Sequence, residues 1–193
     1  GKVVDGTTAL DFDPEEIKRK VSINTAVGPC EWKNCKINII DTPGYFDFVG
    51  EVMQGIRVAD SAVIVVSAKS GVEVGTEKVW KYADDREIPR IIFVNKMDEE
   101  NANFHSVLEQ LQDKLGKNIV PFQIPIKEGD KFIGFVNVVE MKAQKFDGKK
   151  MTDIPVPAGM EDEIESIREM IMEAVAETSE ELMEKSFGGE EFT

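Results

Sequence analysis

The chain has 193 residues, 41% apolar and 31% charged, enough for one substantial core with a smaller piece appended. No apolar run approaches the roughly 20 residues a membrane span needs, and no charged-then-apolar signal segment opens the chain, so a cytoplasmic protein without membrane contact is expected. A net charge of −14 argues against direct nucleic-acid binding. Cys30 and Cys35, with no His beside them, are expected to be free thiols near a hairpin.

In chain order, residues 1–20 mix charge, Gly and Thr without periodicity and predict a loop with a short acidic turn after Pro14. Val21–Val27 and Cys30–Trp32 predict an edge pair leading to the strand Lys36–Ile40. Val49, Val52, Met53 and Ile56 mark one face of a helix. Ala62–Val66 is a continuous β-branched run of the kind buried on both faces of a parallel sheet. Val74–Tyr82 predicts a helix that Pro89 stops before the strand Ile91–Val94. Phe104, Val107, Leu108, Leu111 and Leu115 fall on one helical face closed by Gly116, and Ile119–Ile124 predicts a further strand. This alternation predicts an α/β fold, a doubly wound and mostly parallel sheet with the site at the strands' carboxyl ends.

Beyond Pro125 the pattern changes. Phe132–Val138 and Met141–Phe146 alternate like antiparallel strands. Ile154-Pro155-Val156-Pro157 then breaks the chain before a long helix with Ile164, Ile167, Ile171, Ala174 and Val175 on one face. The expected division is 1–125, a core, and 126–193, a partial inserted subdomain. His105, Trp32 and Trp80 are expected to be structural, His105 exposed and the two tryptophans partly buried.

Two short segments carry the chemistry. Asp41-Thr42-Pro43-Gly44 follows the apolar run Ile37–Ile40, and Asn95-Lys96-Met97-Asp98 follows Ile91–Val94. An Asp at the carboxyl end of a buried strand can hold a hydrated Mg²⁺ through water. A Gly three residues on lets its N–H approach a γ-phosphate. In the second segment a carboxylate at Asp98 can accept two hydrogen bonds from an edge that guanine has and adenine lacks. Asn95 would tie loops together or meet the ring, and the stem of Lys96 would lie over the base. Each segment alone recurs by chance, and a Pro-Gly turn explains the first equally well. Both together, in this order, predict a guanine-nucleotide site. The phosphate-cradling pattern Gly-x4-Gly-Lys-Ser/Thr occurs nowhere in the chain.

With these segments and Asp47-Phe48, Gly71-Val72-Glu73, Val79-Trp80, Pro89-Arg90-Ile91 and the final Gly189–Thr193, the chain closely resembles the first domain of elongation factor G. That family comprises translocation GTPases of the ribosome. The resemblance covers essentially the whole chain and implies the P-loop GTPase fold with the phosphate loop missing. It also implies GTP/GDP and Mg²⁺ as cofactors, with Ser22 and Asp41 as metal ligands. Asp41, Thr42, Pro43, Gly44, Asn95, Lys96, Met97 and Asp98 would bind nucleotide, and Gly44 and Tyr45 would sit at the reacting phosphate. In this family's pattern the segment with the phosphate loop precedes Gly1 and the last guanine-contacting loop follows Thr193.

Two departures bear on the chemistry. Tyr45 stands where the family usually has the His that orients the attacking water, and a phenol is a poor proton acceptor near neutral pH. Lys20 replaces a Gly of the first switch. The resemblance implies a GTP-hydrolysing factor on the ribosome, and the departures leave open a slow or non-hydrolysing nucleotide-gated ribosome binder. Residues 159–193 hold 12 acidic and two basic residues, either a solvated helix face or a dock for a basic partner such as the ribosomal stalk protein.

Overall fold

The computed structural model describes residues 5–188. Gly189–Thr193, part of the family resemblance, lie outside the described residues. The chain forms two compact units. The first takes 1–66 and 72–93, the second 67–71 and 94–193. The boundary expected between residues 125 and 126 falls inside a strand of the second unit.

The first unit opens with helix α1 (Pro14–Arg19), where the sequence predicted a loop. Its length is short, but its start is fully specified. Asp13 accepts the Glu15 N–H, Glu16 reaches back to the Asp13 N–H, and Pro14 supplies a preset φ at the first helical position. Strands β1 (Ala26–Trp32) and β2 (Cys35–Asp41) form an antiparallel hairpin, with Ala26 opposite Asp41 and Trp32 opposite Cys35. Its two-residue turn, Lys33-Asn34, has both residues at positive φ, the backbone that matches strand twist in tight hairpins. Both cysteines are exposed on this hairpin, and Trp32, expected to be partly buried, is 66% exposed at its tip.

A 3₁₀ turn at Phe46–Phe48 leads into helix α2 (Val49–Val58). Strand β3 (Ala62–Ser67), helix α3 (Val74–Asp84) and strand β4 (Arg90–Asn95) follow. β3 and β4 pair in the same direction: Ala62 donates to Pro89 O, and six residues later on both strands Ala68 donates to Asn95 O. The predicted burial of β3 on both faces does not hold. Ile64 and Val66 are buried while Val63 and Val65 are each 60% exposed, so only alternate residues of this short sheet meet the core. Arg90 closes the unit by stacking 4.0 Å over Trp80 and pairing with Asp84.

In the second unit, helix α4 (Phe104–Leu115) runs as the periodicity predicts and is capped by Asn103, which accepts the Ser106 N–H. The next strand is shifted towards the carboxyl end. β5 spans Gln123–Glu128 rather than Ile119–Ile124 and contains Pro125, which a strand at the sheet's edge accommodates. β5 pairs with β6 (Lys131–Asn137), β6 with β7 (Lys142–Phe146) and β7 with β8 (Met151–Ile154), all antiparallel. Backbones approach closely at Gly134, where a Cβ would collide with the carbonyl of Gln144.

Helices α5 (Glu161–Ala176) and α6 (Glu180–Phe187) complete the chain. Ile164 and Ile167 of α5 join Ile124, Ile126, Val136, Val138 and Ala143 in the core, so one face of the four-stranded sheet is covered. The whole is an α/β chain with small sheets. No helix among the described residues is long and apolar enough to cross a membrane.

Candidate nucleotide site

The Asp41–Gly44 segment is held by what lies behind it. Pro43 is fully buried, and Thr42 packs against the buried Gly55 of α2, where an added Cβ would lie 2.6 Å from the Thr42 methyl. Gly44 is different. A Cβ built there meets nothing within 4 Å, so no neighbour in the chain demands glycine, and the space beside it is open to a ligand.

Gly44 and Tyr45 line a cavity of about 400 Å³ together with Asp11, Lys20, Val21 and Ser22. The structure thus brings Ser22 and Gly44, expected from sequence to lie in two switch segments, to one cavity. Tyr45 is 60% exposed and makes no side-chain hydrogen bond among the described residues. Lys78 lies 4.2 Å over the Phe46 ring, which fixes the residue next to it.

Sequence reasoning missed Asp11. Its Oδ1 accepts the Ser22 hydroxyl at 2.7 Å and its Oδ2 accepts the Thr8 hydroxyl at 2.7 Å. Nothing in an aperiodic, acidic stretch marks this aspartate, because its role appears only when 11 residues of chain fold back onto it. Glu16 was missed as well. Its carboxylate is buried and accepts the N–H groups of Ile23 and Asn24 at 2.9 Å and of Asp13 at 3.2 Å. Thr25 is tied to α2 in turn, its N–H donating to a Glu51 carboxylate oxygen at 2.8 Å and its hydroxyl to the Glu51 carbonyl. Residues 22–25 are therefore held by three carboxylates.

The electrostatics follow. Burial pushes Glu16 towards the neutral acid, but its three N–H donors outweigh that and hold its pKa below the usual glutamate value. Asp41 goes the other way. Residue 41 keeps solvent contact, yet partial desolvation of its carboxyl, then the charges of Asp11 and Glu16, raise its pKa.

An aspartate with a raised folded-state pKa favours folding where it is protonated and opposes it once pH rises through that pKa. Asp41→Asn is therefore expected to raise the melting temperature at neutral pH, with the gain shrinking on acidification. Thermal melts across the carboxylate range check this, and a neutral-pH loss would refute it. A charge kept at a cost to stability is a mark of a functional position.

The donor set suits Mg²⁺. Asp11 takes the hydroxyl hydrogen of Ser22 and leaves that oxygen's lone pairs for a cation, while a cation would relieve the charge that Asp11 and Glu16 impose on Asp41. Among the described residues no three His, Cys, Asp or Glu side chains gather into a metal site. Mg²⁺ needs no such cage, because it keeps waters and takes phosphate oxygens.

Asn95–Asp98 belong to the second unit. Asn95 Oδ1 accepts the Lys96 N–H at 2.8 Å, its carbonyl accepts from Ala68, and the Ala68 carbonyl accepts from Asn103. Lys96 sits at φ 61°, a left-handed backbone that lysine rarely adopts. Met97 is buried and anchors the turn in the core. Asp98 is exposed, and its carboxylate has no partner among the described residues. The turn thus presents Asp98 outward from a rigid base.

A carboxylate and an open glycine at a strand's end, with a loop nearby that offers a hydroxyl, fit a nucleotide-binding domain of the α/β class. Comparison with known proteins agrees. Residues 1–178 match the family described as elongation factor Tu GTP binding domain, and the chain belongs to that family. A crystal structure of a protein from Thermus thermophilus is similar over 100% of this chain and 29% of that one, at 36% identity and a TM-score of 0.93. The chain thus spans less than a third of that relative's length. The family match and the structural likeness agree with the resemblance to elongation factor G carried by the sequence segments, and the chain is an elongation-factor-type GTP-binding domain.

Proposed function

We propose that the chain is the nucleotide-binding part of a longer cytoplasmic protein similar to elongation factor G, which hydrolyses GTP on the ribosome to drive translocation or a related step. The carrying observation is the cavity that joins Asp11 and Ser22 to Gly44 and Tyr45, with Asp41 close enough to feel the charge of Asp11. GTP is the substrate. Ser22 and Asp41 would hold Mg²⁺, Asp41 through water, and the ion would neutralise charge developing on the phosphates. The Gly44 N–H would meet the γ-phosphate in the open space beside it, and Tyr45 would orient the attacking water. Thr42 and Pro43 hold this segment in place, Asp98 would select guanine, and Asn95, Lys96 and Met97 shape its turn.

Hydrolysis would release residues 22–25 and the segment at Gly44, a population shift read by other parts of the longer protein. The acidic face of residues 159–193 is proposed to meet the ribosomal stalk protein. The functional division would follow 1–125 and 126–193. The test is ribosome-stimulated GTP turnover of the full-length protein. Turnover at background level with GTP binding intact would replace this reading by a second one, a nucleotide-gated ribosome binder. The exposed, unbonded phenol of Tyr45 favours that second reading.

The 193-residue chain by itself is expected to bind GDP with a dissociation constant above the micromolar range. Base contacts without the cradle of backbone N–H groups forgo most charge-assisted bonds to phosphate. Submicromolar binding in calorimetry would contradict this.

A further inference from the structure

The four-stranded sheet of the second unit has one face on the core and an opposite face on which Phe146 is exposed and Phe135, Asn137 and Gln144 are half-buried. Ala143 and Val136 point inward, so by strand alternation Phe135, Gln144 and Phe146 point outward. Register extends this face: Phe135 lies opposite Gln144, and Phe146 opposite Met151. Phe146 is 52% exposed and Met151 38%. The two phenylalanines are diagonal neighbours on adjacent strands, within the reach of two consecutive stacked rings.

Side-chain amides surround them. Asn137 lies opposite Gln123 on one strand and Lys142 on the other, and Gln144 donates its Nε2–H to Asp153, which leaves its own carbonyl oxygen as an acceptor. The charge is also local. Residues 127–150 carry six lysines against four carboxylates, in a chain of net −14. Lys149 and Lys150 stand in the turn beside Phe146, their side chains without an ion pair among the described residues.

We infer that this outer face is a platform for single-stranded nucleic acid. Rings on a flat sheet stack bases of any identity, amides meet base edges, and unpaired lysines at the rim meet phosphates. An acidic peptide would use the lysines but has no planar groups for the rings. The low overall pI reflects the acidic helices α5 and α6, and this face is the exception to it. Asp153, Glu140, which lies 3.5 Å from Lys142, and Asp147, whose carboxylate accepts the N–H groups of Lys149 and Lys150, oppose the ligand at three rim points and limit affinity.

The experiment is fluorescence anisotropy of the 193-residue chain with labelled oligo(U) RNA of about 12 nucleotides, within the span of known single-strand platforms. Saturable binding at low salt is expected. Phe146→Ala should weaken it about tenfold, with Phe146→Trp restoring it. Lys149→Ala with Lys150→Ala should reduce the slope of log affinity against log salt by about 1.4. All these positions are exposed, and circular dichroism confirms that the variants fold. Absence of binding overturns the inference, as does binding indifferent to Phe146. Equal affinity for a poly-glutamate peptide of matched charge also overturns it, since the surface would then read charge alone.

Discussion

Glu16→Ala is expected to destabilise the chain by about 3 kcal/mol, lowering the melting temperature by roughly 6–12 °C. Three N–H groups, those of Asp13, Ile23 and Asn24, lose their acceptor at once, and the helix start at Asp13 loses half of its reciprocal cap. Charge-assisted bonds of this kind exceed neutral ones, and buried donors left orphaned add their own desolvation cost. Glu16→Gln should fall between. Its carbonyl oxygen can still serve Ile23 and Asn24, which share Oε1, but its amide then faces the Asp13 N–H donor to donor.

The pH dependence separates this account from simple loss of packing. A glutamate held below its ordinary pKa stabilises the fold above the unfolded-state pKa, and that contribution disappears as pH falls through the folded-state value. The gap between the unsubstituted chain and Glu16→Gln should therefore close on acidification. Denaturant unfolding at neutral and acidic pH measures it. A gap that persists at low pH would show that Glu16 acts through shape instead.

The residues proposed to select a nucleotide were legible in the sequence because they act locally. Asp41–Gly44 and Asn95–Asp98 each begin at the last residue of a strand, β2 and β4, so order along the chain already fixes their placement. The residues that hold the first switch were not legible. Asp11 and Glu16 act on Ser22, Ile23 and Asn24 across a fold-back that no periodicity records. Helix α1, which Asp13 and Glu16 cap, is six residues long, too short to show a face, and only its cap gives it away.

Strand pairing shows the same limit. Val63 and Val65 look like buried-sheet residues, and a run of β-branched side chains reports strand conformation without saying which faces are covered. The shift of β5 towards Pro125 was hidden because proline argues against a central strand but says nothing against an edge.

Tyr45→His in the full-length protein is expected to raise ribosome-stimulated GTP turnover by on the order of a hundredfold, the lower range for a well-placed general base. Position 45 lines the same cavity as Gly44 and Ser22, it is 60% exposed, and its side chain is held by no hydrogen bond among the described residues. An imidazole there can accept a proton near neutral pH or orient water through either nitrogen, whereas a phenol oxygen offers a weaker acceptor.

Because the substitution touches water rather than the nucleotide's fixed contacts, nucleotide affinity should stay within about twofold, and the gain should fall on kcat rather than KM. The neighbour constrains where the new ring sits: Phe46, clamped by Lys78 and close to Gly75, keeps the backbone of the segment in place. Single-turnover kinetics with the two proteins side by side decide the matter. Unchanged or slower turnover in Tyr45→His would mean that the phenol, or a group it displaces, already positions the water. A gain would mean that this chain keeps the architecture of a fast switch and runs it slowly, with residence in the GTP state set by one side chain.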